Sequence, residues 1–343
     1  MPGREHCGAE VDSPPIRRLL VRAPNWLGDV VLSLAAVRDL RRNFPDARIE
    51  VLARSWVAGL YGAVAEVDGI RTSHGFLANV RSIRGVFDAV VLLPNSIRSA
   101  LQAFVARIPE RWGYATDGRR ALLTRAVRVP AEVRGESQVY YYRAMLGGLG
   151  LEVSASADVS IRCPDAWAAY GARTLAEPGP WVGLNPGAAY GTAKRWLPAR
   201  YAAVGDLLGR RLGARVAILG GAAEEPLGRA IAAAMRSRAR VLCGDTTIPE
   251  LVGVMSSLSL LVTNDSGPMH VAAALGVPLV AIFGPTDWEE TAPRALRQRL
   301  VRQPVECAPC LLRECPIDHR CMTGVTVDRV VEEAQVLLAG GHA

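Results

Sequence analysis

Residues 261–287 read LVTNDSGPMHVAAALGVPLVAIFGPTD. An apolar run with strand character ends in Asn264-Asp265-Ser266-Gly267-Pro268, and small residues at helical spacing follow. A second apolar run then ends in Gly284-Pro285-Thr286-Asp287. Strand, polar turn, helix and strand in direct succession is the repeating unit of a parallel sheet. The polar turn falls where a helix N-terminus presents unpaired N–H groups and the positive end of its dipole. Two readings stay open: Asp265 or Ser266 caps the helix, or the turn seats an anion.

The same alternation runs outward in both directions. IRRLLVRAP (16–24) is a strand, Asn25-Trp26-Leu27-Gly28-Asp29 a loop, and VVLSLAAVRDLRRN (30–43) a helix. RIEVLA is a strand again, as is FDAVVLLP (87–94), with SIRSALQAFVAR a helix. A short helix and a Pro/Gly-rich break occupy 164–180. After it come WVGLNPGA, a helix at 198–212, RVAILGG, a helix at 225–237, ARVLCG, a helix at 248–257, LSLLVTND, a helix at 268–275, and PLVAIFGP. Two such sets predict an α/β protein of two facing Rossmann-like, doubly wound domains with a cleft between them. The expected divisions are a loose tail at 1–15, one domain at 16–165, and a second at 180–343 with a Cys-rich segment at 307–321. Ligands of open α/β sheets sit beyond the carboxyl ends of the strands. The conspicuous loops all fall there: Asn25–Asp29, Asn95-Ser96, Asn185–Lys194, Gly220–Glu225, Asn264–Gly267 and Gly284–Asp287.

NPGAAYGTAKRW (185–196) is rich in small residues that let backbone amides approach a phosphate, and it ends in Lys194-Arg195. It lacks the Gly-Lys-Ser/Thr ending of a P-loop. Lys194 is the only lysine, against 39 arginines, so a compact ammonium stands alone at this one place. His270, one turn into the helix after Gly267, is placed either to reach the same anion or to serve structure. No Asp-x-Asp pair occurs, so a departing diphosphate would depend on Lys194, Arg195 and the amides of Ser266 and Gly267 for its charge. Asp29 is either a general base for an acceptor hydroxyl or a cap on the helix starting at Val30. Cys307, Cys310, Cys315 and Cys321, with His319 among them, have the spacing of a metal cluster or of a reduced, thiol-lined structural loop.

The net charge is +7, and residues 1–150 hold all of it, with 21 arginines against 14 acids. An anionic partner for the first half follows: a phosphorylated substrate or a phospholipid surface. Nucleic acid is not expected, since no recognition motif or Lys/Arg block accompanies the charge. No apolar run is long enough to span a bilayer, and residues 1–15 lack the apolar core of a signal peptide, so a cytoplasmic protein is expected.

Taken together, RAPNWLGDVVLSLAAVRDLR, LLPNSIRSA, NPGAAYGTAKRW, TNDSGPMHVAAALGVP, FGPTD and CAPCLLRECPIDHRCM resemble the ADP-heptose:lipopolysaccharide heptosyltransferases of glycosyltransferase family nine. The similarity runs from about Leu19 to Val330 and is strongest to the branch that adds the second inner-core heptose. It implies a GT-B fold, inversion at the anomeric carbon, and no required cofactor or bound metal. The donor it implies is ADP-heptose, in the second domain. The acceptor would be heptosyl-Kdo2-lipid A, met at the cytoplasmic face of the inner membrane, with peripheral contact to that surface. Position by position, Asp29 matches the family's base and Lys194 its phosphate-binding lysine. Asp265, Ser266, Gly267 and His270 match its donor-binding motif, with Glu224 or Glu225 at the ribose, and Asn95, Ser96 and Arg98 match the acceptor side. Asn185, Gly187, Thr192 and Arg195 are further donor-side candidates, and Asn25 and Trp26 further acceptor-side ones. Glu136-Ser137-Gln138 stands where many relatives have a histidine, and Trp288 where a proline is common. A related enzyme with another nucleotide sugar or acceptor, and a non-catalytic nucleotide-binding protein, are the rival readings.

Overall fold

The computed structural model describes residues 15–339, so the expected tail, apart from Pro15, lies outside the described residues. β1 (Arg18–Arg22), β2 (Arg48–Arg54), β3 (Gly69–Ser73), β4 (Ala89–Leu92), β5 (Glu110–Tyr114) and β6 (Arg125–Val127) form one sheet in the order β3-β2-β1-β4-β5-β6. β7 (Trp181–Asn185), β8 (Arg215–Ile218), β9 (Ala239–Val241), β10 (Leu260–Asn264), β11 (Leu279–Phe283) and β12 (Gln298–Arg302) form another, in the order β12-β11-β10-β7-β8-β9. Every neighbouring pair is parallel. Counted from its own first strand, the second sheet repeats the order of the first.

That order reverses direction between the first and fourth strands, which opens a crevice at their carboxyl ends. In the first sheet the loops after β1 and β4 flank it, and they carry Asn25–Asp29 and Asn95-Ser96. In the second sheet the loops after β7 and β10 flank it, carrying Asn185–Lys194 and Asn264–Gly267. The polar motifs thus occupy both switch points.

The central strands are apolar because helices cover both their faces: every residue of β4, β7, β10 and β11 is buried. One apolar cluster lies between the sheets and draws on both, from Leu19, Val31 and Ala53 to Leu261, Met269 and Phe283. Separate clusters cover the outer face of each sheet, around Val90 and Ala103 in one case and Val262 and Val330 in the other. β3, β5, β6 and β12 escape a reading by apolar runs, since GIRTS, ERWGY, RAV and QRLVR interleave charge with short apolar stretches.

The helix expected at 30–43 is two helices, Leu27–Leu32 and Leu34–Asn43. Between them Ser33, fully buried, turns its hydroxyl back onto the carbonyl of Val30 at 2.8 Å, a bond that competes with the helical ladder. Asp39 in the second piece forms a buried ion pair with Arg143 at 2.9 Å and accepts the Ser154 amide at 3.1 Å, tying it to the Gln138–Gly148 helix. The short helix of the Pro/Gly-rich break is Asp165–Thr174, and it lies on the Ile248–Ser256 helix. There Gly171 meets Gly253 so closely that an added Cβ would stand 1.9 Å from the Gly253 carbonyl oxygen. Among the described residues, no helix is long and apolar enough to cross a membrane.

Candidate active site

Two helix N-termini, one from each sheet, meet at the cleft. They belong to the Leu27–Leu32 helix after β1 and the Gly267–Ala274 helix after β10. A glycine at each makes the approach feasible. A Cβ on Gly28 would lie 2.8 Å from Cδ2 of His270, and one on Gly267 would lie 2.9 Å from Cβ of Leu27. At the far end of the Gly267–Ala274 helix, the Ile161 amide donates to the Ala274 carbonyl at 2.8 Å.

Asp29 stands in the first turn of its helix. The helix begins at Leu27, not Val30, and no side chain caps it, so the capping alternative falls away. Burial raises the Asp29 carboxyl to about 6, and the nearby Lys194 ammonium opposes that rise without cancelling it. No hydrogen bond contributes to the balance. Asp29 is therefore a carboxylate near neutrality, partly shielded from water, with its oxygens uncommitted.

On the facing side, Lys194 Nζ donates to Asp265 Oδ2 at 2.7 Å, with both side chains nearly buried. The same oxygen accepts from Thr286 Oγ1 at 2.6 Å and from Thr291 Oγ1 at 3.4 Å. Asp265 thus aims the ammonium instead of capping the helix. Ser266 does not cap it either: its hydroxyl is held by Asn185 Nδ2 at 3.0 Å and faces Thr263 Oγ1 at 3.3 Å. Among the described residues, the Ser266 and Gly267 amides donate to no protein acceptor. Two free N–H groups at a helix N-terminus, beside an aimed ammonium, can hold an anion.

Asn185 and Asn264 lie under this turn. Asn185 is 1% exposed and acts on the site through Ser266 and Thr263, so the structure places it beneath the cleft surface. Asn264, part of the turn singled out in the sequence but given no role of its own there, fastens the loop above it. Its Oδ1 accepts from the Trp196 amide and the Tyr201 hydroxyl, and its Nδ2 donates to the Pro186 carbonyl at 2.7 Å. Glu224 lies flat against Gly187, where a Cβ would stand 1.7 Å from its Oε1, and it accepts the Gly221 amide at 2.8 Å. Glu225 points elsewhere and pairs with Arg229 at 2.7 Å. Thr192 is exposed on the short turn that ends in Lys194, while Arg195 turns toward the Ala188 carbonyl at 3.5 Å. His270 is 5% exposed, and burial drops its pKa to about 4, so the ring is neutral at pH 7. It fills the contact with Gly28 and adds no cationic charge.

In the first sheet, Asn95 is gripped from two sides: its Nδ2 donates to the Tyr141 hydroxyl at 2.6 Å and its Oδ1 accepts from Arg119 at 3.4 Å. Arg119 is fully buried and also donates to the Pro94 carbonyl. The Asn25 carbonyl accepts from Trp56 Nε1 at 3.0 Å, and Trp26 projects into solvent. Ser96 precedes the Ile97–Val105 helix without capping it through its side chain, and Arg98 stacks over Phe76.

The Cys-rich segment has a role that its spacing does not reveal. Its backbone braces the Lys194 loop: the Arg313 carbonyl accepts the Ala193 amide at 2.9 Å, and the Leu311 carbonyl accepts the Tyr190 hydroxyl at 2.8 Å. His319 Nε2 lies 2.6 Å from the Ala193 carbonyl. The Tyr190 ring in turn carries Lys194 Nζ at 5.0 Å from its centroid. Cys307 and Cys310 are exposed, Cys321 is buried, and none of the four is in a disulfide. Among the described residues, no group of three or more His, Cys, Asp or Glu side chains is arranged to hold a metal ion.

Two parallel six-stranded sheets of identical order, facing each other across a cleft with a helix N-terminus from each at its centre, define the GT-B class of fold. The model of glycosyltransferase family 9 (heptosyltransferase) matches residues 76–320. Lipopolysaccharide heptosyltransferase 2 of Salmonella typhimurium is 31% identical, the match covering 94% of this chain and 99% of the relative. The Escherichia coli protein of the same name is also 31% identical, over 94% and 98%. The structure of E. coli ADP-heptose lps heptosyltransferase II superposes with a TM-score of 0.83 at 29% identity, covering 95% of this chain and all of the other. The chain belongs to glycosyltransferase family 9, and it is an enzyme of that family.

Proposed function

We propose that the enzyme transfers heptose from ADP-heptose to the first heptose of the lipopolysaccharide inner core, with inversion at the anomeric carbon. The relatives named lipopolysaccharide heptosyltransferase 2 support heptose transfer to lipopolysaccharide, and the superposed E. coli ADP-heptose lps heptosyltransferase II supports the donor. The observation that carries the chemistry is the uncommitted Asp29 carboxylate facing, across the meeting of two helix N-termini, an aimed lysine and two free amides. Asp29 takes the proton of the acceptor hydroxyl as that oxygen bonds to C1 of the donor heptose. The bond from C1 to the β-phosphate oxygen breaks, and ADP leaves with the electron pair. Lys194 and the amides of Ser266 and Gly267 meet the charge that develops on the diphosphate. Glu224, not Glu225, is the carboxylate for the ribose, since it lies against Gly187 between two loops of the second crevice.

In this reading the first sheet, with the basic half of the chain, binds the acceptor, and the second binds the donor. The enzyme works at the cytoplasmic membrane face, where an anionic lipid-linked acceptor is presented. Turnover of ADP-heptose with heptosyl-Kdo2-lipid A, followed by mass spectrometry beside a panel of other nucleotide sugars, tests the proposal. Efficient turnover of a different donor, with none of ADP-heptose, would replace the substrate while leaving the catalytic arrangement intact.

A further inference from the structure

A second cleft, with a cavity volume of about 50 Å³, opens beside the Asn25 loop at the carboxyl ends of the first sheet. Arg22, Arg54 and Arg98 line it together with Gln102, and no aspartate or glutamate does. Arg22 is 7% exposed. Its Nη1 donates to the carbonyls of Ala23 and Leu52, both at 2.9 Å, and its Nη2 reaches Asn25 Oδ1 at 3.3 Å. These bonds fix its position without supplying a countercharge. The Nε atoms of Arg22 and Arg54 are both buried without a partner. Burial and the like charge of Arg54 together lower Arg22 to about 10. Gln102 is 5% exposed and lines the same cleft.

Burying guanidinium groups side by side with nothing negative among them costs stability. That cost is offset when an oxyanion enters, because the guanidinium fork matches a carboxylate or a phosphate in shape and charge.

We propose that this cleft is an oxyanion site, in which Arg54, Arg98 and Gln102, backed by Arg22, bind a carboxylate or phosphate group on the acceptor glycan. The acceptor assignment rests on the function proposed above; the oxyanion chemistry rests on the cleft alone. The cleft shares the Asn25 loop with Asp29, so an acceptor anchored here is held from the side of the loop that delivers the base.

The first test is thermal unfolding with inorganic phosphate at constant ionic strength, with ADP saturating so that the diphosphate seat is filled. Phosphate should stabilise the wild type. Arg54→Gln should be as stable as wild type or more so without phosphate, because a like charge is relieved, and it should lose the phosphate response. A structural arginine would behave the opposite way, losing stability on substitution. In turnover assays, Arg54→Gln should raise the acceptor KM at least about tenfold, with kcat and the donor KM within about twofold. Gln102→Leu, which keeps the side-chain volume, should shift the same acceptor KM in the same direction.

Acceptors with their carboxylates methyl-esterified, or with their phosphates removed, identify the group. The modification that raises the wild-type KM but leaves that of Arg54→Gln unchanged marks the oxyanion bound. A phosphate response and an acceptor KM both retained in Arg54→Gln would overturn the proposal. If the wild type turned over no heptosylated acceptor yet its phosphate response depended on Arg54, the substrate assignment would fail and the oxyanion site would stand.

Discussion

Gly28 and His270 touch across the cleft, so closely that a single added methyl carbon on Gly28 would lie 2.8 Å from the imidazole. The contact joins the helix that carries Asp29 to the helix whose N-terminus faces the proposed diphosphate seat. Alanine is a better helix former than glycine by about 1 kcal/mol, so local propensity alone favours Gly28→Ala. We expect that variant to keep its circular dichroism yet lose at least about tenfold in kcat, because the two N-termini are forced apart and small misplacements of reacting groups are costly. Turnover equal to wild type would show that the close approach is dispensable.

Asp29 should leave two signatures. Its carboxyl is raised to about 6 by burial, so kcat/KM should fall as pH drops below that value, with one proton taken up. Asp29→Asn should cost about 100-fold or more in kcat while calorimetry finds ADP-heptose affinity unchanged. The stability effect has the opposite sign. The folded pKa lies above the usual value of 3.8, so the protonated form is favoured by folding. That contribution is complete below pH 3.8 and is lost as pH rises through 6. At pH 7 Asp29→Asn should therefore be more stable than wild type, by about 1–3 kcal/mol, with the difference vanishing near pH 4. Urea unfolding at the two pH values measures it.

Lys194 and Asp265 can be separated by a pair of variants. Lys194→Met strands the nearly buried carboxylate of Asp265 and should cost about 3 kcal/mol of stability. Adding Asp265→Asn removes the stranded charge and should recover much of that loss. ADP affinity should remain at least about tenfold weaker in both if the ammonium meets the diphosphate as proposed. Recovery of ADP binding in the double variant would assign the phosphate contact elsewhere.

The two glutamates after β8 offer an internal control. Glu224→Gln should raise the donor KM about tenfold, as expected for a lost charged hydrogen bond. Glu225→Gln should stay within about twofold of wild type, since it breaks only an exposed pair with Arg229. Steady-state kinetics with varied ADP-heptose compares them directly.

Much of the architecture was legible because both sheets are parallel and covered on both faces. Their central strands read as apolar runs, and each run ends in the polar loop that the topology then places at a crevice. β3, β5, β6 and β12 were not legible, since edge or charge-bearing strands lack such runs. Ser33 breaks a helix that periodicity draws as continuous, because a buried hydroxyl bonding backward leaves no trace in an apolar pattern. Spacing left the cysteines open between a metal cluster and a structural loop, and the fold uses their segment's backbone carbonyls to brace the lysine loop.

The sequence alone determined the alternation of strand and helix, the strand ends at which polar residues gather, and the singularity of Lys194, all of which depend on local order along the chain. Only the tertiary structure decided what those residues do to one another. It set Asp265 to aim the lysine, placed Asn185 beneath the turn, laid Glu224 against Gly187 while Glu225 pairs with Arg229, and brought Arg22 beside Arg54 with no countercharge. These relations depend on burial and on distances between segments far apart in sequence, and electrostatic free energy is set by those two quantities.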